Sequence, residues 1–400
     1  MDLRTGETVW LLKNGPPLSY PPLDRDANCD AVIVGGGITG AFIARELVAA
    51  GMDCVMIDRR EPGGGSTPAS TALLLYELDT PLWKLARQIG EEDAAASYRA
   101  CVEAIGKIEA VVHDLHDACD FTRRKSFYLA EHAWNVPGLK REAEIRRKHG
   151  IATDFLRRSE VEERFSFSRP GALLSHDAAE IDVLRLVAAL QAAAVERGLR
   201  IHGKTALKSF TSSPGKCVVL TEAGAAITAR HLVFATGYES EKYLGRKIGK
   251  LKSTYAIATQ PLDEFSGWHE RSLIWTTARP YLYLRTTSDG RAVVGGGDID
   301  YKNDKVRDAL LPKKTAVLEK ELRKLFPELD FEIACCWAGT FGETPDSLAR
   351  IGSPPGCANV HFALGYGGNG ITYSMIAAEI IRDACLGRFN PDSRLFRLDR

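Results

Sequence analysis

Residues 31–40 read AVIVGGGITG, and the glycines at 35, 37 and 40 pose a choice between a phosphate cradle and a bare turn joining a strand to a helix. The spacing alone is weak, because 36 glycines in 400 residues produce it by chance. The flanking sequence decides. Cys29 to Val34 is a short apolar run with β-branched residues, and Ala41 to Ala50 (AFIARELVAA) places apolar residues at helical spacing. Gly51 ends that segment, and Cys54 to Ile57 (CVMI) is a second apolar run closed by Asp58.

Strand, glycine turn, helix, strand and terminal acid therefore fit within about thirty residues, the size of a dinucleotide-binding βαβ unit. Such a unit needs its first glycine for the sharp turn, its second for close approach of a pyrophosphate, and its third for helix packing on the strand. Gly35, Gly37 and Gly40 fill these places, and Asp58, eighteen residues beyond Gly40, stands where an acid bonds ribose hydroxyls. The pyrophosphate would sit at the helix N-terminus, where free N–H groups and the macrodipole favour an anion.

A length of 400 residues favours two domains. Charge is balanced, 52 basic against 52 acidic residues, so no global field recruits nucleic acid. No run approaches the ~18 apolar residues of a membrane span, and the first thirty residues lack a signal-peptide core; a soluble, cytoplasmic protein is expected. The nine cysteines have no C-x-x-C spacing, which argues against disulfides and structural zinc, so no metal is expected. His176, His231 and His361 read as structural histidines.

Residues 1–28 are polar and proline-rich and read as an extended surface arm. Glu61 to Thr71 (EPGGGSTPAST) is a glycine- and hydroxyl-rich loop, helical patterns follow near 81–117, 184–197, 313–325 and 371–386, and Ser288-Asp289-Gly290 turns a hairpin. The expected fold class is α/β: a Rossmann-like domain (29–100 with 170–245 and 335–400) and a second, mostly antiparallel-sheet substrate domain (101–169 with 246–334).

Three separated segments, GGGITG with Asp58, HLVFATGY at 231–238, and WAGTFGETPDSLARIG with FALGYGGNGITYS within 337–374, together resemble the FAD-dependent D-amino-acid oxidase, glycine oxidase and sarcosine oxidase family. The likeness runs in order over nearly the whole chain, and Trp10 with YPPLDRD is most similar to its γ-glutamylputrescine oxidase branch. The resemblance implies that Gly35, Gly37, Ile38, Thr39 and Gly40 hold the pyrophosphate of FAD, and that Asp58 and Arg59 lie at the adenosine ribose. Leu207 would touch adenine, and Ala235, Thr236 and Gly237 would form a second contacting turn. Ser66, Thr67, Ser70, Thr71 and Ala72 would neighbour the flavin ring, with Gly339 also a cofactor contact. Gly365, Tyr366, Gly367, Gly368, Asn369, Gly370, Ile371 and Thr372 would run under the isoalloxazine. That last stretch lacks bulk and precedes an apolar helix, whose N-terminus would favour negative charge on a ligand.

The implied reaction is oxidation of a C–N bond in a small amine or amino-acid derivative, with oxygen or another acceptor regenerating the flavin. The alternatives are a hydroxy-acid dehydrogenase and a non-catalytic flavoprotein. Members that oxidise glycine and D-amino acids share a G-x-R-P stretch whose arginine grips the substrate carboxylate; here Phe341 takes the arginine's place in Gly339-Thr340-Phe341-Gly342. Tyr283 and Arg285, with Arg279 and Tyr281, are substrate candidates on the hairpin, or equally one ordinary face of a sheet. The cysteine that links flavin in sarcosine oxidases corresponds to Gly339, five residues before Thr344-Pro345-Asp346, and residues 59–80 contain no histidine, so FAD is expected to bind non-covalently.

Overall fold

The computed structural model describes residues 2–400 and is built on an eight-stranded and a ten-stranded sheet. At the centre of the first lies the strand Ala27–Val34, hydrogen-bonded in parallel to Ala226–Phe234 on one side and Cys54–Ile57 on the other. Arg200–His202 extends the sheet beyond Cys54–Ile57, Val360–Leu364 and Arg350–Gly352 extend it beyond Ala226–Phe234, and the hairpin of Leu207–Ser213 and Lys216–Thr221 attaches through Ala226–Phe234.

Both faces of the central strands are covered, which is why they read as continuous apolar runs rather than alternating ones. Ala31, Ile33, Cys54 and Met56 pack with the helices Ile38–Ala49, Val183–Glu196 and Gly370–Cys385. Val32, Val34, Val55 and Ile57 face the opposite way, into a cluster with Leu207, Cys217, Val219 and Phe234.

The ten-stranded sheet orders its main path as Arg4–Gly6, Ile333–Glu343, Lys250–Thr259, Ala292–Asp300, Leu282–Thr286, Leu273–Thr276, Thr122–Leu129, Gly171–Glu180 and Leu73–Leu74, with Thr153–Arg157 also paired to Gly171–Glu180. Its pairings are antiparallel except Leu273–Thr276 with Thr122–Leu129. The expected hairpin turns at Gly290, whose φ is +82° and whose N–H donates to Thr287 O at 3.0 Å.

The helical pattern near 81–117 resolves into Leu82–Ile89 and Glu91–His113, split at Gly90 with φ +90°. Val183–Glu196 starts where the Asp182 carboxylate accepts from the Leu184 and Arg185 N–H groups at 3.1 Å. Asp304–Leu325 starts nine residues before the expected 313, because Asn303 caps it by accepting from Val306 N–H at 2.9 Å.

Two expectations are corrected. The first residues do not all run over the surface: Arg4–Gly6 joins the edge of the large sheet, and Val9–Asn14 is a helix whose Val9 and Trp10 are completely buried. The gain from burying an indole outweighs the polar, proline-rich composition around it. Gly171–Glu180 and Ile333–Glu343, assigned from sequence to the Rossmann-like part, are instead hydrogen-bonded into the ten-stranded sheet. Both contain runs of consecutive buried residues, as the strands of the parallel sheet do, so nothing local marks which sheet they join.

Candidate active site

A cavity of about 900 Å³ begins at the carboxyl ends of the parallel strands, at Val34, Asp58, Ala235 and Gly365, and runs to the face of the ten-stranded sheet. Ligands of open α/β sheets bind at those strand ends.

Its first wall is the glycine turn. Gly35 has φ +109° and donates its N–H to Ile57 O at 2.8 Å; a Cβ there would stand 2.5 Å from Ala235 O. A Cβ on Gly40 would lie 1.9 Å from Gly35 O, so the third glycine serves strand–helix contact and does not itself line the cavity. Gly37, Ile38 and Thr39 do line it, at the N-terminus of Ile38–Ala49. A Cβ on Gly37 would meet only Thr67 Oγ1, at 3.0 Å, so this backbone is open on the cavity side. These features fit a pyrophosphate.

Asp58 ends the second strand as expected. One carboxylate oxygen accepts from Gly36 N–H and the other from Arg60 N–H, both at 2.8 Å. Burial pushes its pKa up, while those two donors and the neighbouring Arg60 and Arg59 guanidinium groups pull it down. Arg59 bridges to Glu239 at 2.5 Å, tying the first turn to the segment after Ala235, Thr236 and Gly237. Those three residues and Leu207 also line the cavity.

Farther along, Ser66, Thr67, Ser70, Thr71 and Ala72 form one side, and Gly365, Tyr366, Gly367, Gly368, Asn369, Gly370 and Ile371 the other, with Gly339 contributed by the strand Ile333–Glu343 of the ten-stranded sheet. The Asn369 amide donates to Leu75 O at 2.9 Å and Glu77 O at 3.0 Å. Thr372 is turned away from the cavity and donates to Leu75 O at 3.2 Å.

The opposing loop is held by two indoles and a guanidinium. Trp10 Nε1 donates to Ser70 O at 2.6 Å and Trp337 Nε1 to Ala69 O at 2.9 Å. Arg285, a substrate candidate, belongs to this scaffold and does not line the cavity. Its guanidinium donates to Ala72 O at 2.7 Å, Ile181 O at 2.9 Å and Thr286 O at 2.8 Å, and stands 3.6 Å from Glu180. Alternation along Leu282–Thr286 aligned it with Tyr281 and Tyr283, but the strand carries it beneath the loop at residues 71–72.

The remaining end is lined by Phe341, Tyr281, Tyr283 and Trp275, as well as by three acids that no spacing in the sequence marks, Asp79, Asp298 and Glu343. Tyr283 Oη lies 2.9 Å from Thr254 Oγ1. Burial raises the pKa of Asp298 to about 6, and its Oδ1 is enclosed without a hydrogen-bond partner among the described residues. Burial also raises the carboxyls of Asp79 and Glu343. Two basic side chains also line this end: Lys252, 2.6 Å from Asp300 and 3.9 Å from Glu343, and Arg279, whose guanidinium stacks 3.6 Å from the centre of the Tyr281 ring and pulls the Asp79 carboxyl down. No cysteine or histidine lines the cavity among the described residues, and none of their helices is long and apolar enough to cross a membrane.

Comparison with known proteins agrees with this geometry. Escherichia coli gamma-glutamylputrescine oxidoreductase is 25% identical over 390 residues, covering 92% of this chain and 86% of that protein. Bacillus licheniformis glycine oxidase is 26% identical over 370 residues, covering 90% and 93%. The fold matches glycine oxidase from Geobacillus kaustophilus with a TM-score of 0.78 at 18% identity, over 94% of this chain and 99% of the other. It matches L-amino acid deaminase from Proteus myxofaciens with a TM-score of 0.79 at 15% identity, over 100% and 99%. Residues 30–384 match the family described as DAO, FAD dependent oxidoreductase, to which this chain belongs.

Proposed function

We propose that the chain oxidises the C–N bond of a small amine, with FAD held non-covalently along the cavity. Gly35, Gly37, Ile38 and Thr39 would take the pyrophosphate, Asp58 and Arg59 the ribose region, and the segments 66–72 and 365–371 the flavin. Bound FAD supplies the hydride acceptor, and oxygen or another acceptor regenerates it. The observation that carries the reading is the acid-rich end of the cavity: Asp79, Asp298 and Glu343 converge where Phe341 replaces a carboxylate-gripping arginine.

Three carboxyl groups outnumber the two cations at this end, Lys252 and Arg279, which favours an ammonium group over a carboxylate. An ammonium has no lone pair and must lose a proton before hydride can leave its carbon. Asp298, enclosed and poised near neutrality, can accept that proton from the bound substrate. Tyr283 and Phe341 shape the apolar part of the site, and water then hydrolyses the imine to a carbonyl compound and ammonia, or an amine where the substrate nitrogen is secondary. A 2-hydroxy acid would bring a carboxylate against the three acids, which disfavours the dehydrogenase alternative.

Anaerobic mixing with primary amines, secondary amines, N-substituted amino acids and hydroxy acids is expected to bleach the flavin absorbance with an amine class alone. Bleaching by hydroxy acids and by no amine would overturn the assignment. The absence of a cysteine or histidine lining supports non-covalent attachment, so acid precipitation should leave a white pellet and a yellow supernatant; a yellow pellet would refute it.

Asp298 must be ionised to take the proton, so kcat/KM should fall about tenfold per pH unit below its pKa of about 6. Asp298→Asn should lower kcat/KM by about 10²–10⁴ near neutral pH. Without this base only the free amine reacts, so the Asp298→Asn profile should climb about tenfold per pH unit up to the amine's own pKa, where the wild type is flat above about pH 6; identical profiles would exclude Asp298.

A further inference from the structure

Outside the cavity, His231, His361 and Cys385 bring their ligand atoms within 4.8 Å of one another. Sequence spacing hides the group, because His231 and Cys385 lie 130 and 24 residues from His361. The fold assembles it. Ala226–Phe234 and Val360–Leu364 pair in parallel with Val233 beside His361, so His231, two residues before Val233, projects from the same face as His361. Cys385 is the last residue of the helix Gly370–Cys385.

Two of the three distances between the ligand atoms match the edges of a tetrahedral site. His231 Nδ1 lies 3.2 Å from His361 Nε2, which lies 3.6 Å from Cys385 Sγ. A centre with Zn–N of about 2.0–2.1 Å and Zn–S of about 2.3 Å has edges of about 3.3 Å between nitrogens and about 3.6 Å between nitrogen and sulfur.

A second observation points the same way. Ser353 Oγ lies 3.0 Å from His361 Nδ1 and can donate to Ala358 O at 3.5 Å, a pairing in which it would accept the Nδ1 proton. That assignment leaves the Nε2 lone pair of the buried His361 facing both His231 and Cys385. One lone pair cannot serve two donors, and a cation would engage all three atoms. Ser353 occupies the place of the outer partner that orients a metal-bound histidine.

We propose that His231 Nδ1, His361 Nε2 and Cys385 Sγ bind one divalent cation of the zinc class. Two imidazoles and a thiolate select a borderline-soft ion over magnesium or calcium. On binding, the Cys385 S–H bond breaks, its proton passes to solvent and a sulfur–metal bond forms, with no change of oxidation state. His231 and Cys385 are half-buried, so water can fill the fourth position. The ion would fasten the end of Gly370–Cys385 to the parallel sheet, at the opposite end of the helix from the cavity.

The test uses flavin-loaded protein washed with a chelator, incubated with zinc sulfate and freed of excess metal. Elemental analysis should find one zinc per chain, and alkylation of Cys385 by iodoacetamide, followed by peptide mass, should slow at least about tenfold. Cys385→Ser and His231→Gln should each weaken zinc binding at least about tenfold while keeping the yellow flavin spectrum as proof of folding, and Ser353→Ala should weaken it about 10–100-fold. Absence of stoichiometric zinc, an unprotected Cys385, or unchanged zinc affinity in Cys385→Ser and His231→Gln would each overturn the site. Loss of flavin in none of these proteins is required, so the outcome is independent of the reading of the cavity.

Discussion

A Gly37→Val protein is expected to purify folded and colourless. Gly37 has φ −76° and ψ −170°, ordinary values for any residue, and its Cβ would find only Thr67 Oγ1 within 4 Å, at 3.0 Å. The chain can therefore carry a side chain here, but the added isopropyl group occupies the opening of the helix N-terminus where the pyrophosphate would sit. Flavin affinity should drop at least about 100-fold, equivalent to ~2.7 kcal/mol, with the circular-dichroism spectrum of the native fold retained. Gly40→Ala provides the contrast. Its Cβ would stand 1.9 Å from Gly35 O, and the backbone cannot yield there without separating helix from strand, so that protein should be insoluble rather than colourless. A yellow Gly37→Val protein with normal flavin content would remove the cradle from the site, leaving the three glycines as a packing motif.

The contrast also shows what the sequence could disclose. The βαβ unit was legible because each of its signals is local: apolar runs, a glycine turn, a terminal acid. Residue-level roles within it were less so. Gly35 and Gly40 are closed in by each other and by Ala235, whereas Gly37 has room for a side chain on the cavity side, a division that depends on distances across the sheet. The substrate end was legible at a missing motif, Phe341, and at Tyr281 and Tyr283 on the hairpin, which line it with Arg279. Asp79, Asp298 and Glu343 come from a loop and two strands far apart in the chain, and their shared property, burial beside one cavity, has no spacing to announce it. Trp10 was noticed as a mark of resemblance, yet its function is a hydrogen bond to a carbonyl 60 residues away.

Arg285 is the sharpest instance of a residue noticed for the wrong reason, and its replacement carries the second large effect. Arg285 is 1% exposed, with its guanidinium stacked 5.3 Å from the centre of the Trp10 ring. Burial lowers its pKa, and Glu180 beside it opposes that shift. Arg285→Met would leave the carbonyls of Ala72, Ile181 and Thr286 without these donors, and Glu180 with only its 2.9 Å bond from Arg124. Breaking a buried charge network from one side costs about 3–5 kcal/mol. The loss falls on the loop facing Gly365–Ile371, where Ala72 already holds φ +56°, a left-handed conformation that side chains disfavour. The variant should therefore melt several degrees lower and release flavin more readily. Arg285→Lys should recover the charge but little of the flavin affinity, since one ammonium cannot reproduce a planar fork that spans Ala72, Ile181 and Thr286. Substrate contact by Arg285 predicts the opposite pattern: a raised KM with thermal stability and flavin retention intact. Measuring the melting temperature, flavin dissociation and KM on the same preparations decides between a residue that grips substrate and one that holds the loop beside the flavin.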